Sequence, residues 1–145
     1  MKTVVFTGSF DPFTIGHKDI ADRAKSLCEE LVIGIGCNQC KDYMLSLEER
    51  VKTIEELFKY DLNVRVETYD DLTVDFARRQ NADCIIRGVR SVKDYEYERQ
   101  QAEINRRLSG IETVLLFARP ELEYVSSSMV KELMSYDKDI SDFIP

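Results

Sequence analysis

The chain has 145 residues, which fits one domain over residues 1–145 that can bury a hydrophobic core without disulfides or a structural metal. Its formal net charge of −7 argues against a nucleic-acid-binding surface but allows a local cluster of cations around a small phosphorylated ligand. No apolar run approaches the roughly 20 residues of a membrane span, so we expect a cytoplasmic protein that binds neither nucleic acid nor membrane.

Predicted strands and helices alternate along the chain. Segments rich in β-branched residues predict strands, and apolar residues at helical spacing predict helices. In chain order these are a strand at 2–8, a helix that begins at 14–17 and has apolar residues at 20, 24 and 27/28, a strand at 31–36, a helix at 46–58, a strand at 63–68, a helix at 72–80, a strand at 83–88, a helix at 92–108, a strand at 112–118 and a helix at 126–134. The alternation predicts a doubly wound (Rossmann-like) α/β fold, with a five-stranded parallel sheet and helices on both faces.

Hydroxyl groups, cations and glycines follow the predicted strands. They are Gly8-Ser9, Lys41, Leu72-Thr73, Arg87 to Arg90, and Ser126 to Ser128. Functional sites of such sheets gather at the carboxyl ends of the strands. We therefore expect these five loops to form one site at one edge of the sheet.

The only histidine, His17, ends the segment GSFDPFTIGH, where the first strand passes into a helix. A helix N-terminus favours a phosphate group, Gly16 leaves room for close approach, and His17 and Ser9 can donate hydrogen bonds to it. Taken alone, His17 could equally be a residue that caps or packs the start of the helix.

Two further patterns favour the phosphate interpretation. Three serines, Ser126 to Ser128, precede a predicted helix, whereas ordinary N-capping needs only one. Arg87 and Arg90 flank a Gly-Val pair directly after a buried strand, and guanidinium groups bind phosphate oxygens in a bidentate manner.

The sequence gives little support for a zinc site, a dinucleotide-binding site or a P-loop. Cys37 and Cys40 form a C-x-x-C pair, but no second pair follows and one histidine leaves too few ligands for tetrahedral zinc. We therefore expect free thiols and no metal ion held by the protein alone. The glycine patterns of dinucleotide-binding and P-loop proteins are absent after the first strand, and Gly34 and Gly36 are interpreted as positions of close backbone packing.

Three segments resemble the signatures of known enzymes. GSFDPFTIGH resembles the motif of nucleotidylyltransferases that carry T-x-G-H, and RGVRSVKDYEYE (87–98) and VSSSMVKEL (125–133) resemble two further signatures of the phosphopantetheine adenylyltransferases. The resemblance covers nearly the whole chain in the right order. It implies an enzyme that transfers an adenylyl group from ATP to 4′-phosphopantetheine, giving dephospho-coenzyme A and pyrophosphate.

At positions that match the family motifs, the resemblance implies roles for individual residues. His17 would stabilise the transition state at the α-phosphate, with Lys41 and Arg90 as the other catalytic residues. Phosphopantetheine would be bound by Ser9, which stands where the family usually has threonine, and by Lys41, Thr73 and Arg87. ATP would be contacted by Ser9, Phe10, His17, Gly88, Val89, Arg90, Glu98, Leu122, Glu123, Tyr124, Val125, Ser126, Ser127 and Ser128.

The resemblance also implies a metal ion, an inhibitor and an assembly, and the chain differs from the family pattern at a few positions. Mg²⁺ would accompany ATP, coenzyme A would act as a feedback inhibitor, and the chain would assemble into a homohexamer. Thr7 replaces a common proline before Gly8, and Asp42-Tyr43 replace the usual basic residue and proline after Lys41. The second replacement changes the number of cations expected in that loop.

Two alternatives remain open at the level of sequence. One is a related transferase that uses another acceptor, such as glycerol phosphate or nicotinamide mononucleotide. Cytidylyl members usually carry an R-T-x-G-I-S-T-T-like segment, whereas this chain has EYVSSSMVKEL. The other is a non-catalytic sensor of ATP or coenzyme A, which would not need the set of Ser9, His17, Lys41 and Arg90.

Overall fold

A computed structural model describes residues 1–38 and 41–145. The strands are β1 (Thr3–Gly8), β2 (Glu30–Gly36), β3 (Val64–Tyr69), β4 (Cys84–Val89) and β5 (Glu112–Phe117). The helices are α1 (Ile15–Lys25), α2 (Leu47–Leu57), α3 (Thr73–Arg79), α4 (Val92–Ser109) and α5 (Ser127–Ser135), with a short 3₁₀ turn at Pro120–Leu122. Every predicted strand and helix is present. Helix α1 begins at Ile15, within the segment 14–17 where the sequence predicted its start, and Thr14 is its N-cap.

The five strands form one parallel sheet in the order β3-β2-β1-β4-β5. In the central register, Val5 of β1 lies beside Val32 of β2 and Ile85 of β4. The chain winds outward from β1 to β3 on one side and then from β4 to β5 on the other. The doubly wound fold is therefore confirmed, and the crevice of such a sheet lies where the winding reverses, between the carboxyl ends of β1 and β4.

The core lies on both faces of the sheet because side chains alternate along each strand. On one face, Phe6, Ile33 and Ile86 belong to a buried cluster with residues of α1 and α2. On the other face, Val5 and its neighbours in β2 and β4 pack against Phe76 and the rest of the apolar side of α3. Helix α4 lies beside α3, so helices cover both faces.

Gly34 in β2 is a site of close packing, as its sequence context suggested. A Cβ atom at this position would lie 2.4 Å from the ring of Phe76, which is fully buried. Any side chain at Gly34 would push α3 away from the sheet.

Candidate active site

Two adjoining cavities open at the carboxyl edge of the sheet. The first cavity, of about 680 Å³, lies between the ends of β1, β2 and β3 and helix α4, and includes Thr73, Gln101 and Asn105. The second cavity, of about 490 Å³, lies over the start of α1 and α5 and includes His17 and Arg90. Both cavities are lined by Thr7, Gly8, Ser9, Lys41, Arg87, Tyr97 and Glu98. The two spaces therefore meet at the ends of β1 and β4.

Nearly all of the site residues predicted from the sequence line these cavities. The first cavity alone contains Thr73, whose hydroxyl lies 3.2 Å from that of Tyr69. The second alone contains Phe10, His17, Gly88, Val89, Arg90, Leu122, Val125, Ser126, Ser127 and Ser128. Glu123 and Tyr124 line neither cavity, because the turn after Pro120 directs the exposed ring of Tyr124 onto Phe143.

The imidazole of His17 is held by the cap of α1. The backbone N–H of Thr14 donates to Nδ1 of His17 at 3.0 Å, and the N–H of His17 lies 3.3 Å from the accepting hydroxyl oxygen of Thr14. Because a backbone N–H can only donate, Nδ1 is the acceptor and a neutral ring carries its proton on Nε2. The capping role and the donor role considered above are therefore compatible in one side chain.

The same ring is held in its neutral form. Burial, as the largest cause, together with the positive charges of Arg87 and Arg90 lowers the pKa of His17 from 6.5 to about 3. The rings of Phe10 and Phe13 lie 5.1 and 5.4 Å away, centroid to centroid. His17 is thus a fixed, uncharged N–H donor at neutral pH.

We expect the single histidine to show no ordinary titration in the folded protein. Its Cε1–H signal in heteronuclear NMR should stay constant from about pH 8 to about pH 5, and its ¹⁵N shifts should report the Nε2–H tautomer. Because the folded pKa lies below the unfolded one, the unfolded chain takes up the proton first, and this residue lowers stability progressively as the pH falls below 6.5. A titration midpoint near 6.5 would contradict this account.

Arg87 is fixed at the boundary of the two cavities by Glu98. Its Nε and Nη2 donate to the two carboxylate oxygens of Glu98 at 3.0 and 2.8 Å, and Nη1 donates to the carbonyl of Thr7 at 2.6 Å. Burial alone would lower the pKa of Arg87, but the carboxylate of Glu98 outweighs burial and raises it. The cation is therefore presented by a rigid ion pair between β4 and α4.

Two more cationic side chains, Lys41 and Arg90, line the second cavity together with Arg87. Lys41 Nζ donates to Ser9 Oγ at 3.2 Å, which brings the loop after β2 to the end of β1. Arg90 is exposed beside the second cavity, with its Nε 3.3 Å from a carboxylate oxygen of Asp94. In this acidic chain, Lys41, Arg87 and Arg90 form the local cluster of cations that an anionic ligand requires.

The two helix N-termini differ in how many groups they leave for a ligand. At α5, Ser126 caps by accepting from Met129 N–H, Ser127 Oγ donates to the carbonyl of Pro12, and Ser128 is exposed at the cavity. At α1, the first N–H, that of Ile15, donates to the carbonyl of Phe143 at 2.9 Å, and the N–H of His17 faces Thr14. The expectation that α1 offers its N–H groups to a phosphate is therefore corrected, because residues of the chain already use part of them.

One fully buried carboxylate escaped the sequence analysis. Asp11 accepts the backbone N–H groups of Met44 and Leu45, both at 2.8 Å, and pairs with Lys131 Nζ at 3.0 Å. Burial raises the pKa of Asp11, but the bonds from Leu45 and Met44 and the charge of Lys131 outweigh it and lower the pKa overall. The partners lie far away in the sequence, so no local pattern could have indicated this link between the Lys41 loop and α5.

Within residues 1–38 and 41–145, no three His, Cys, Asp or Glu side chains are grouped so that they could hold a metal ion. Cys37 has a free thiol, while Cys40 lies outside the described residues, so the interpretation of the C-x-x-C pair stays a prediction. No helix in the described part of the chain is long and apolar enough to cross a membrane.

Comparison with known proteins gives consistent results. The chain matches the cytidylyltransferase-like family over residues 5–133. Phosphopantetheine adenylyltransferases from Bacteroides fragilis and Bacteroides thetaiotaomicron are 52% and 50% identical over 100% of this chain, which covers 97% and 96% of them. A bifunctional NMN adenylyltransferase/ADP ribose pyrophosphatase from Francisella tularensis, solved with AMP and a manganese ion, shares the fold with a TM-score of 0.68. Its identity is 15%, and the match covers 96% of this chain and 43% of that one.

The three signature segments surround the two cavities, and the Bacteroides relatives match the chain from end to end. The chain therefore belongs to the phosphopantetheine adenylyltransferases, a family of nucleotidyltransferases with a cytidylyltransferase-like fold.

Proposed function

We propose that this chain carries out the reaction of its family, the transfer of an adenylyl group from ATP to 4′-phosphopantetheine, by direct in-line attack. The observation that carries the proposal is the meeting of two cavities at Ser9, Lys41 and Arg87, directly beside the N–H donor of His17. A reaction that joins two phosphorylated molecules needs two such spaces with cations at their junction.

The two substrates differ in shape and charge, and so do the cavities. ATP fits the second cavity, where His17, Arg90 and the N-terminus of α5 at Ser128 surround the place of its phosphates. The uncharged arm of phosphopantetheine fits the first cavity, which includes the amide side chains of Gln101 and Asn105. Its phosphate then lies at the junction.

The proposed step needs no proton transfer. A phosphomonoester has a second pKa near 6, so the acceptor phosphate is already largely a dianion at neutral pH. One of its oxygens forms a bond to the α-phosphorus of ATP, while the bond from that phosphorus to the oxygen bridging to the β-phosphorus breaks. That electron pair leaves with pyrophosphate, and no covalent enzyme intermediate forms.

The protein contributes position and charge. We assign the Nε2–H of His17 to a non-bridging oxygen of the α-phosphate, where negative charge increases in the transition state. Lys41 and Arg87 hold the acceptor phosphate, and Arg90 compensates charge on the leaving pyrophosphate. A neutral donor suits this task because its proton stays on the ring throughout.

Mg²⁺ is proposed to enter with ATP. The carboxylates that line the second cavity, Asp94 and Glu98, are each paired with an arginine, so the described residues around this cavity provide no set of free acidic ligands. This donor set fits an ion bound by phosphate oxygens and water. Such an ion neutralises charge on the triphosphate, and the residues named above bind and orient the two anions.

We further propose that residues 1–145 act as one cytoplasmic nucleotidylyltransferase domain, that it forms a homohexamer, and that coenzyme A inhibits it. Helix α4 leaves Val92, Ile104 and Leu108 about half exposed or more, and Phe117 is exposed on the edge strand β5, which supports burial against other copies. Coenzyme A carries the same arm as the acceptor and would occupy the first cavity. Light scattering would test the number of subunits.

Measurement of pyrophosphate release tests the reaction. With ATP, Mg²⁺ and 4′-phosphopantetheine, we expect release that stops when the acceptor is left out and that is much slower with CTP. Release with nicotinamide mononucleotide instead would identify another acceptor in the same fold. No release with any acceptor would favour the adenylate-sensing alternative and contradict the proposal.

Replacing Lys41 with alanine should affect the acceptor more than ATP. We expect kcat/KM for phosphopantetheine to fall by about 10²-fold, because a charge-assisted contact with the phosphate is lost. The KM for ATP should change by less than about threefold, since Lys41 lies at the junction and not at the base of the second cavity. Equal effects on both substrates would contradict this placement of Lys41.

A further inference from the structure

A buried arginine below the candidate active site has no role in the reaction described above. Arg50, in the first turn of α2, is only 2% exposed. Within the described part of the chain, no carboxylate lies within ion-pairing distance of it, and its Nε is buried without a partner. Because burying a guanidinium group is costly, its contacts indicate what it does for the protein.

Those contacts join the ends of two strands. Arg50 Nη1 donates to the carbonyl of Ser9 at 2.8 Å and to the carbonyl of Gly36 at 3.1 Å. Ser9 follows β1 and Gly36 ends β2. One side chain therefore connects the carboxyl ends of these two strands, where the proposed phosphate-binding loops begin. Arg50 itself lines neither cavity.

Tyr43 adds a contact from the loop above. Its ring lies 4.0 Å from Cζ of Arg50, within the range of a cation–π interaction, and its hydroxyl oxygen accepts the N–H of Asn38 at 2.8 Å. Tyr43 stands where the family usually has a proline, which would stiffen the loop by another means. Tyr43, two residues after Lys41, therefore links Asn38 to Arg50.

We propose that Arg50 and Tyr43 are positioning residues that together hold Ser9 and Lys41 at the distance needed to bind the acceptor phosphate. The 3.2 Å bond from Lys41 Nζ to Ser9 Oγ is the contact that they support. The proposal rests on the proposed function, because the phosphate is that of the acceptor. It adds two residues that set the geometry of that site without reacting.

Kinetics of single and double variants test the proposal. Arg50→Met should lower kcat/KM for phosphopantetheine about 10- to 100-fold and Tyr43→Leu about threefold to tenfold, because a displacement near 1 Å can cost that much. Arg50→Lys, which keeps the charge, should recover part of the loss. In a Lys41→Ala background, Tyr43→Leu should cost less than about twofold, since the contact it supports is already absent. Full additivity of the two losses would overturn the proposal.

Hydrogen exchange provides a second measurement that does not depend on turnover. In Arg50→Met or Tyr43→Leu, the amides of Met44 and Leu45 should exchange at least about tenfold faster, while those in the middle of β1 stay protected. Arg65→Met is the matched control, because Arg65, on β3, also makes several bonds, to Glu67 of β3 and Glu30 of β2, but lines neither cavity.

The outcomes separate the two proposals. If the wild-type protein releases no pyrophosphate when phosphopantetheine is added, the proposed function is contradicted, whatever the exchange data show. Unchanged exchange in the loop of the Tyr43→Leu variant contradicts the positioning role, even in a fully active enzyme. If Arg50→Met does not fold, Tyr43→Leu still tests the positioning role. Tyr43 is a partly exposed loop residue that lines the first cavity, so we expect this variant to fold.

Discussion

Replacing His17 with alanine is expected to lower kcat by about 10²- to 10³-fold, the usual effect of removing one preorganised donor from a site of developing negative charge. The KM for ATP should change little, because the bond from Nε2–H strengthens mainly in the transition state. Steady-state pyrophosphate release at saturating acceptor measures both constants. A large rise in KM with an unchanged kcat would mean that His17 only binds the ground state.

Two amide variants distinguish the donor from the ring. In His17→Gln the side-chain amide can place its N–H near the position of Nε2, whereas in His17→Asn the amide is nearer the position of Nδ1, which faces Thr14. We expect the glutamine variant to keep more of kcat than the asparagine variant. The reverse order would place the important contact on the Thr14 side of the ring. Thermal unfolding should be followed in parallel, because the ring also packs against Phe10.

The second large effect is expected for Arg87→Ala. The variant leaves the carboxylate of Glu98, whose side chain is only 9% exposed, without its bidentate partner. Removing one member of such a pair typically costs about 3 kcal/mol of unfolding free energy. Loss of the cation at the junction should also reduce kcat/KM for both substrates. Chemical denaturation and steady-state kinetics measure the two effects separately.

Matched variants separate the structural effect from the chemical one. The double variant Arg87→Met with Glu98→Met should regain most of the stability, because no unpaired charge remains, but it should regain no activity. Arg106→Ala breaks an exposed pair with Glu103 on the same helix as Glu98 and should cost less than about 1 kcal/mol. Recovery of activity in the double variant would contradict a functional role for the cation of Arg87.

The order of elements was predictable because it depends on local patterns. Short β-branched runs and helical spacing identified every strand and helix, and their alternation implied a parallel sheet. The start of α1 was indicated by the residues at 14–17 rather than by apolar spacing, which begins only at Ile20. Boundaries depend on caps, which a hydrophobic pattern does not record.

The burial of individual charged side chains was not predictable. Asp11 occurs in a loop and Arg50 in an amphipathic helix, where the usual expectation is exposure to water. Both are nearly inaccessible because they satisfy backbone groups of segments that meet only in the folded chain. Likewise, the motif that placed Glu98 at the site did not indicate that its carboxylate pairs with Arg87.

The sequence by itself determined the family, the doubly wound sheet and most of the residues around the two cavities. These follow from contiguous motifs and from the rule that parallel strands end at one edge. The tertiary structure alone decided the charge state of His17, the pairing of Arg87 with Glu98 and the contacts of Arg50 with the ends of β1 and β2. Each of those depends on burial or on distances between groups that come together only in the folded chain, and electrostatic and hydrogen-bond energies change steeply with both.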